Sequence, residues 1–115
     1  MMDDRTLLER AAKAAGYTLK WGEVHMVGDD EIDCTDQSYV VSGQPDEADW
    51  YWDPLNDDGD ALRLAVKLRL TIDHKEECVN VWDGCFGTGF IPNEGDPYAA
   101  TRRAIVRAAA EIGGE

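Results

Sequence analysis

His74, Cys78 and Cys85, with His25 and Cys34 earlier in the chain, are the side chains most able to ligate a transition metal. A tight tetrahedral site takes its ligands in pairs from single turns, as C-x2-C or H-x3-H. Six residues separate Cys78 from Cys85, which gives no such turn, so no metal is expected. Free cysteines also behave as small hydrophobes, and Cys78 beside Val79 suits that role. A cysteine nucleophile needs a nearby cation or base to hold its thiolate, whereas the neighbours here are Glu76, Glu77 and Asp83.

Two further runs resemble known ligand loops and then depart from them. Asp29-Asp30-Glu31-Ile32-Asp33-Cys34-Thr35-Asp36 alternates oxygen-bearing side chains as a calcium loop does. Cys34 stands where that loop needs its glycine and Val40 where it needs its closing glutamate, so calcium is not expected either. Gly84-Cys85-Phe86-Gly87-Thr88-Gly89 is glycine-rich, yet Phe90-Ile91-Pro92 follows it in place of a helix whose N-terminus could hold a phosphate. Carboxylates abound without a distinctive spacing. The chain is therefore read as a non-enzyme with no catalytic residues and no cofactor.

Charge is the stronger signal. Of 24 Asp and Glu, thirteen fall between Trp21 and Leu62, a stretch holding none of the 11 Lys and Arg, so the net charge of -13 resides there. Such a field favours basic partners and repels nucleic acid and anionic membrane. Within it, Asp29, Asp30, Glu31, Asp33, Asp36, Asp46, Glu47 and Asp49 are the candidate partner-facing acids. Asp49-Trp50-Tyr51-Trp52-Asp53 adds aromatics, which are over-represented among interface hot spots. Trp52, and to a lesser degree Trp50, suits the core, which leaves Tyr51 as the exposed contact. Arg63 with Lys67, and Arg103 with Arg107, stand four apart on helices and read as solvated faces. A patch of Arg102, Arg103 and Arg107 could also meet the acidic segment of a second copy, making a homodimer.

At 115 residues the chain is one domain's worth, residues 1–115, with the acidic loop-rich segment 22–60 inside it. The hydrophobic fraction of 43% argues for a packed core despite the charge. No apolar run reaches the ~18 residues of a membrane span, and Met1-Met2-Asp3-Asp4-Arg5 lacks the basic start of a signal peptide. Three cysteines cannot all pair, which fits a reducing cytoplasm.

Helical periodicity predicts helices near residues 4–15, 56–68 and 97–112. Leu7, Leu8, Ala11, Ala12 and Ala15 form the first stripe; Leu62, Ala65, Val66 and Arg69 follow helical spacing in the second; Tyr98, Ile105, Ala108 and Ile112 are expected to face inward in the third, which Gly113-Gly114 ends. Strands are expected at 17–21, 24–27, 39–41, 70–72 and 79–82, with loops over 28–37, 42–49 and 83–95. No strand is followed by a regular crossover helix, so the fold class is α+β, an antiparallel sheet packed between helices.

Trp52-Asp53-Pro54-Leu55-Asn56-Asp57-Asp58-Gly59-Asp60-Ala61-Leu62-Arg63-Leu64-Ala65 and Gly95-Asp96-Pro97-Tyr98-Ala99-Ala100-Thr101-Arg102-Arg103-Ala104-Ile105 resemble small phage and prophage proteins of the phage ABA sandwich type. The resemblance implies a sheet held between helices and a phage origin, and it supplies no catalytic residues. Together with the charge it leads to the expected function: a phage-encoded acidic interaction protein in the host cytoplasm. Its partner would be a basic host protein, and it would act as an inhibitor of a nucleic-acid-binding defence system of the anti-CRISPR type. The alternative is a small-molecule or nucleotide binder using helix arginines and the glycine-rich loop 84–89. A deep pocket lined by Arg102 and Arg103 would favour that alternative.

Overall fold

Asp3, Asp57 and Asp96 each start a helix for the same reason. The first backbone N–H groups of a helix have no intrahelical acceptor, and a short carboxylate just before them supplies one. Asp3 accepts from the Thr6 N–H at 2.8 Å, Asp57 from the Asp60 N–H at 2.8 Å, and Asp96 from the N–H groups of Tyr98 and Ala99 at 3.0 and 3.2 Å. The computed structural model describes residues 3–22, 24–33, 38–42, 50–84, 88 and 91–114, and places helices α1 at Asp4–Ala15, α2 at Asp58–Lys67 and α3 at Pro97–Gly113. Helix α2 starts two residues later than its sequence suggests. Asp53 to Asp57 instead form a turn in which the Asp53 carbonyl accepts from the Asn56 and Asp57 N–H groups.

The strands are β1 Thr18–Trp21, β2 Val24–Val27, β3 Asp30–Asp33, β4 Ser38–Ser42, β5 Trp50–Tyr51, β6 Thr71–His74, β7 Cys78–Trp82 and β8 Ile91–Pro92. All pairings among the described residues are antiparallel, in three small sheets ordered β1-β4-β5, β2-β3 and β6-β7-β8. This is an α+β fold with helices packed against sheet, as the sequence implies. Two expected loops differ: Asp30–Asp33 and Ile91–Pro92 are strands.

Alternation along β7 shows where the core lies. Val79 and Val81 are fully buried on the face toward α3, while Cys78, Asn80 and Trp82 on the other face are partly exposed. Burying one such aliphatic side chain contributes about 1.5–3 kcal/mol. Helix α3 is the hub, packing on α1, α2, β7 and β8. It carries Ala104, Ile105, Val106, Ala108 and Ala109 into the core, and the alanines let neighbouring backbones approach closely.

The α1–α3 pair shows how close. Arg103 reaches Asp4 at 3.0 Å near one end, and Gly113 lies against Arg10 and Ala14 at the other, so the two helices run in the same direction. A Cβ at Gly113 would overlap the Arg10 carbonyl oxygen. That residue is thus a contact point inside α3 and not simply the helix stop. At the other side of the core, Trp52 is buried and meets Tyr17 edge-on at 5.8 Å, with the Lys67 ammonium 4.5 Å above the Tyr17 ring.

One inward assignment, Tyr98, needs correction, and two residues of the helically spaced set in α2 prove exposed. Tyr98 is 70% exposed, Leu62 60% and Val66 68%. In α2 the buried apolar residues are Ala61, Leu64 and Ala65, one position out of phase with the helically spaced set read from the sequence. Ile105 and Ala108 are buried as expected.

Candidate functional site

The acidic residues can be followed first. Strands β2 and β3 form a hairpin with Val27 opposite Asp30, Met26 opposite Glu31, His25 opposite Ile32 and Val24 opposite Asp33. Its two-residue turn is Gly28-Asp29, with Gly28 at φ 65° and Asp29 outside the positive-φ region. That is the pattern of a type II′ turn, whose first central position wants glycine and whose twist matches the strands. This turn answers why an acid-rich run, poor in strand formers, is extended here: the register is set by Gly28. It also removes the calcium-loop geometry, since Asp30 to Asp33 are a ladder.

Asp29, Asp30 and Glu31 are exposed. Successive strand residues face opposite sides, so Asp30 lies on one face of the ribbon and Glu31 on the other, with Met26, 66% exposed, directly across from Glu31. Among the described residues each strand of the hairpin lies chiefly against the other, and the molecule measures 50 × 31 × 25 Å. Asp33 is the last residue of β3 and Tyr51 pairs with Tyr39 in the first sheet; their side chains lie outside the described structure. Asp36, Asp46, Glu47 and Asp49 lie outside the described residues altogether, as do Cys34 and Cys85. Among the described residues no group of three or more His, Cys, Asp or Glu could hold a metal ion.

The helix arginines do not form one patch. Arg102 Nε donates to the Leu55 carbonyl at 2.9 Å and its Nη1 to Asp58 at 2.6 Å, and its side chain is only 17% exposed. Arg103 turns the other way, to Asp4 of α1. Arg102 therefore does not join Arg103 in one exposed patch; it ties α3 to the chain entering α2. Arg63 pairs with Asp60 at 2.8 Å.

Asp60 is the one buried charged residue among those described. Its carboxylate accepts from the Asp53 N–H at 2.9 Å as well as from Arg63, which fixes the turn before α2. Burial pushes its pKa above the ordinary range, the Asp53 N–H opposes that rise, and the neighbouring Asp57 carboxylate adds to it. This is a structural carboxylate, since both its oxygens are engaged by the chain itself.

Sequence reasoning missed a groove of about 430 Å³ between α2, α3 and β6. Leu62 and Tyr98 stand on its two helical sides, Ile105 lies deeper, and Ile72 and His74 come from β6. Ile72 and His74 share a sheet face with Val81 and Val79, their cross-strand partners, which is the face that α3 covers. The Asp58–Arg102 ion pair closes one end. The volume is that of a small-ligand or side-chain site, and the walls are largely apolar. The only arginine in its lining is already satisfied, so the groove lacks the donor cluster that phosphates require. Of the glycine-rich loop, the described Thr88 exchanges hydrogen bonds with Val81, its N–H donating to the Val81 carbonyl at 3.0 Å, and so closes the turn after β7.

No helix among the described residues is long and apolar enough to cross a membrane. Set against known proteins, the chain matches no family model, no curated protein and no solved structure.

Proposed function

We propose that this chain is an acidic interaction protein whose segment 22–60 occupies a basic surface on a partner protein. The observation that carries the reading is the β2–β3 hairpin, which exposes Asp29, Asp30 and Glu31 in a stretch without a single Lys or Arg. A surface kept only for solubility ordinarily mixes both signs. One-signed carboxylates stand in for phosphates, so the partner surface is of the kind that nucleic-acid-binding proteins present, and the outcome is inhibition by exclusion. The phage origin, the host-cytoplasm setting and the anti-CRISPR type of target belong to this proposal. They rest on the resemblance carried by residues 52–65 and 95–105.

The nucleotide-binding alternative is less well supported. Arg102 is engaged by Asp58 and Leu55, and Arg103 points to α1, so no paired guanidinium cradle lines the groove. The test is competition. The tagged chain is used to capture a basic protein from a bacterial lysate, and double-stranded DNA is then titrated against the complex. Displacement of one ligand by the other supports the proposal; simultaneous binding of both contradicts it.

A further inference from the structure

We propose that the groove between α2 and α3 is a docking slot for one apolar side chain on an extended, basic segment of the partner. The inference rests on the preceding reading that the partner is basic, and it adds the anchor which charge alone does not supply. Exposed large apolar residues that converge on one concave site mark a contact surface, whereas scattered ones do not. Leu62 and Tyr98 converge in this way, from different helices, on either side of a groove floored by Ile72. Val66, one turn along α2 from Leu62, continues the same apolar stripe.

Charge complementarity identifies the occupant. At one end of the groove stand Asp57 and Asp58, the last part of the acid-only segment, and both are exposed. The turn that follows His74, a lining residue, exposes Glu76 and Glu77. Of the neighbouring cations, Arg102 is paired with Asp58, Arg63 with Asp60 and Lys75 with Asp73. An apolar trough bordered by exposed acids fits an apolar residue flanked by Arg or Lys. A free anionic or nucleotide ligand would meet these carboxylates at the rim. The floor strand β6 is moreover an edge of its sheet among the described residues, and sheet edges accept extended peptides through main-chain hydrogen bonds. Tyr98 offers a ring face to a flanking cation, an added attraction that a neutral segment would forgo.

The test uses two short synthetic peptides, arginine-rich and identical except for a central Phe or Ser, against the isotopically labelled full chain. Affinity is read by fluorescence anisotropy at low salt and the contact surface by amide chemical shifts. The Phe peptide should bind roughly ten-fold or more tighter, as expected for burying one large apolar side chain. Shifts should appear in α2, β6 and the first turn of α3. Leu62→Ser and Tyr98→Ala, both at exposed positions, should abolish the preference for Phe while leaving thermal unfolding unchanged. Equal affinity for the two peptides, with shifts confined to Asp29–Glu31, overturns the groove while leaving the acidic-surface reading intact. Failure of both peptides to bind removes that reading and the groove with it. An uncharged Phe peptide that binds as well as the basic one, or self-association of the chain dispersed by Leu62→Ser, overturns the basic segment as occupant.

Discussion

Arg102 of α3 and Asp58 of α2 lie 2.6 Å apart, and the same guanidinium holds the Leu55 carbonyl at 2.9 Å. One half-buried side chain thereby fixes the spacing of the two helices that flank the groove. Asp58 is 71% exposed, so the ion pair itself contributes little, and most of the effect comes from the charged hydrogen bond to Leu55. Arg102→Ala should therefore cost about 2 kcal/mol, and Asp58→Asn much less. Urea unfolding of both variants checks this ordering; equal losses would show that the ion pair dominates.

Ile105 is 3% exposed and packed in the core. Ile105→Asp would bury an unpaired carboxylate and should destabilise the domain by roughly 3 kcal/mol or more. Thermal unfolding close to that of the unaltered chain would show that the site tolerates water.

Gly113→Ala tests the parallel packing of α1 on α3. The added methyl meets the Arg10 backbone, which cannot rotate away as a side chain would. A loss of about 1–3 kcal/mol is expected from overpacking, despite the better helix propensity of alanine. Gly114→Ala, one residue on, meets only the Ala110 carbonyl and the movable Arg10 side chain and should cost less. A stabilised Gly113→Ala protein would mean that the helices stand farther apart.

Asp60 gives the chain an acid-range signature. Burial holds its folded pKa above the ordinary 3.8, so its contribution to stability is full below that value and is lost as pH rises through the folded pKa. Asn cannot ionise. The stability of Asp60→Asn relative to the unaltered chain should therefore improve as pH rises across that window, whatever constant cost the lost Arg63 contact imposes. Urea unfolding at a series of acid pH values reads the difference directly. A relative stability that falls with pH would show that the folded state favours the carboxylate.

The starts of α1 and α3 were legible in the sequence because capping is local, Asp3 and Asp96 standing directly before them, whereas the start of α2 was expected two residues early. Trp52 was legible as core from its place at a strand-to-helix junction. The burial of α2 was not. Ala61-Leu62-Arg63-Leu64-Ala65-Val66 offers two apolar stripes one residue apart, and only the packing against α3 decides that Leu64 goes in and Leu62 stays out. The same choice creates the groove, which is why sequence reading could not find it. Tyr98 belongs to the first turn of α3, where the helix side beside it is the groove rather than the core. The structural role of Arg102 was not legible because its acceptors, the Leu55 carbonyl and Asp58, are more than forty positions away. The β3 strand was hidden by its acids and is explained by the turn at Gly28.

The central claim is that the acid-only segment steers the chain to a basic partner. Its most direct test is the kinetics of binding to the captured partner at about 0.1 M and about 1 M salt, where the Debye length falls from about 10 Å to about 3 Å. The unaltered chain is compared with one in which Asp29, Asp30, Glu31 and Asp33 are replaced by Asn or Gln. Association of the unaltered chain should be faster at low salt and slow steeply at high salt, while the neutralised chain should associate slowly at both, with unfolding unchanged. Indistinguishable association rates in all four conditions would contradict the account.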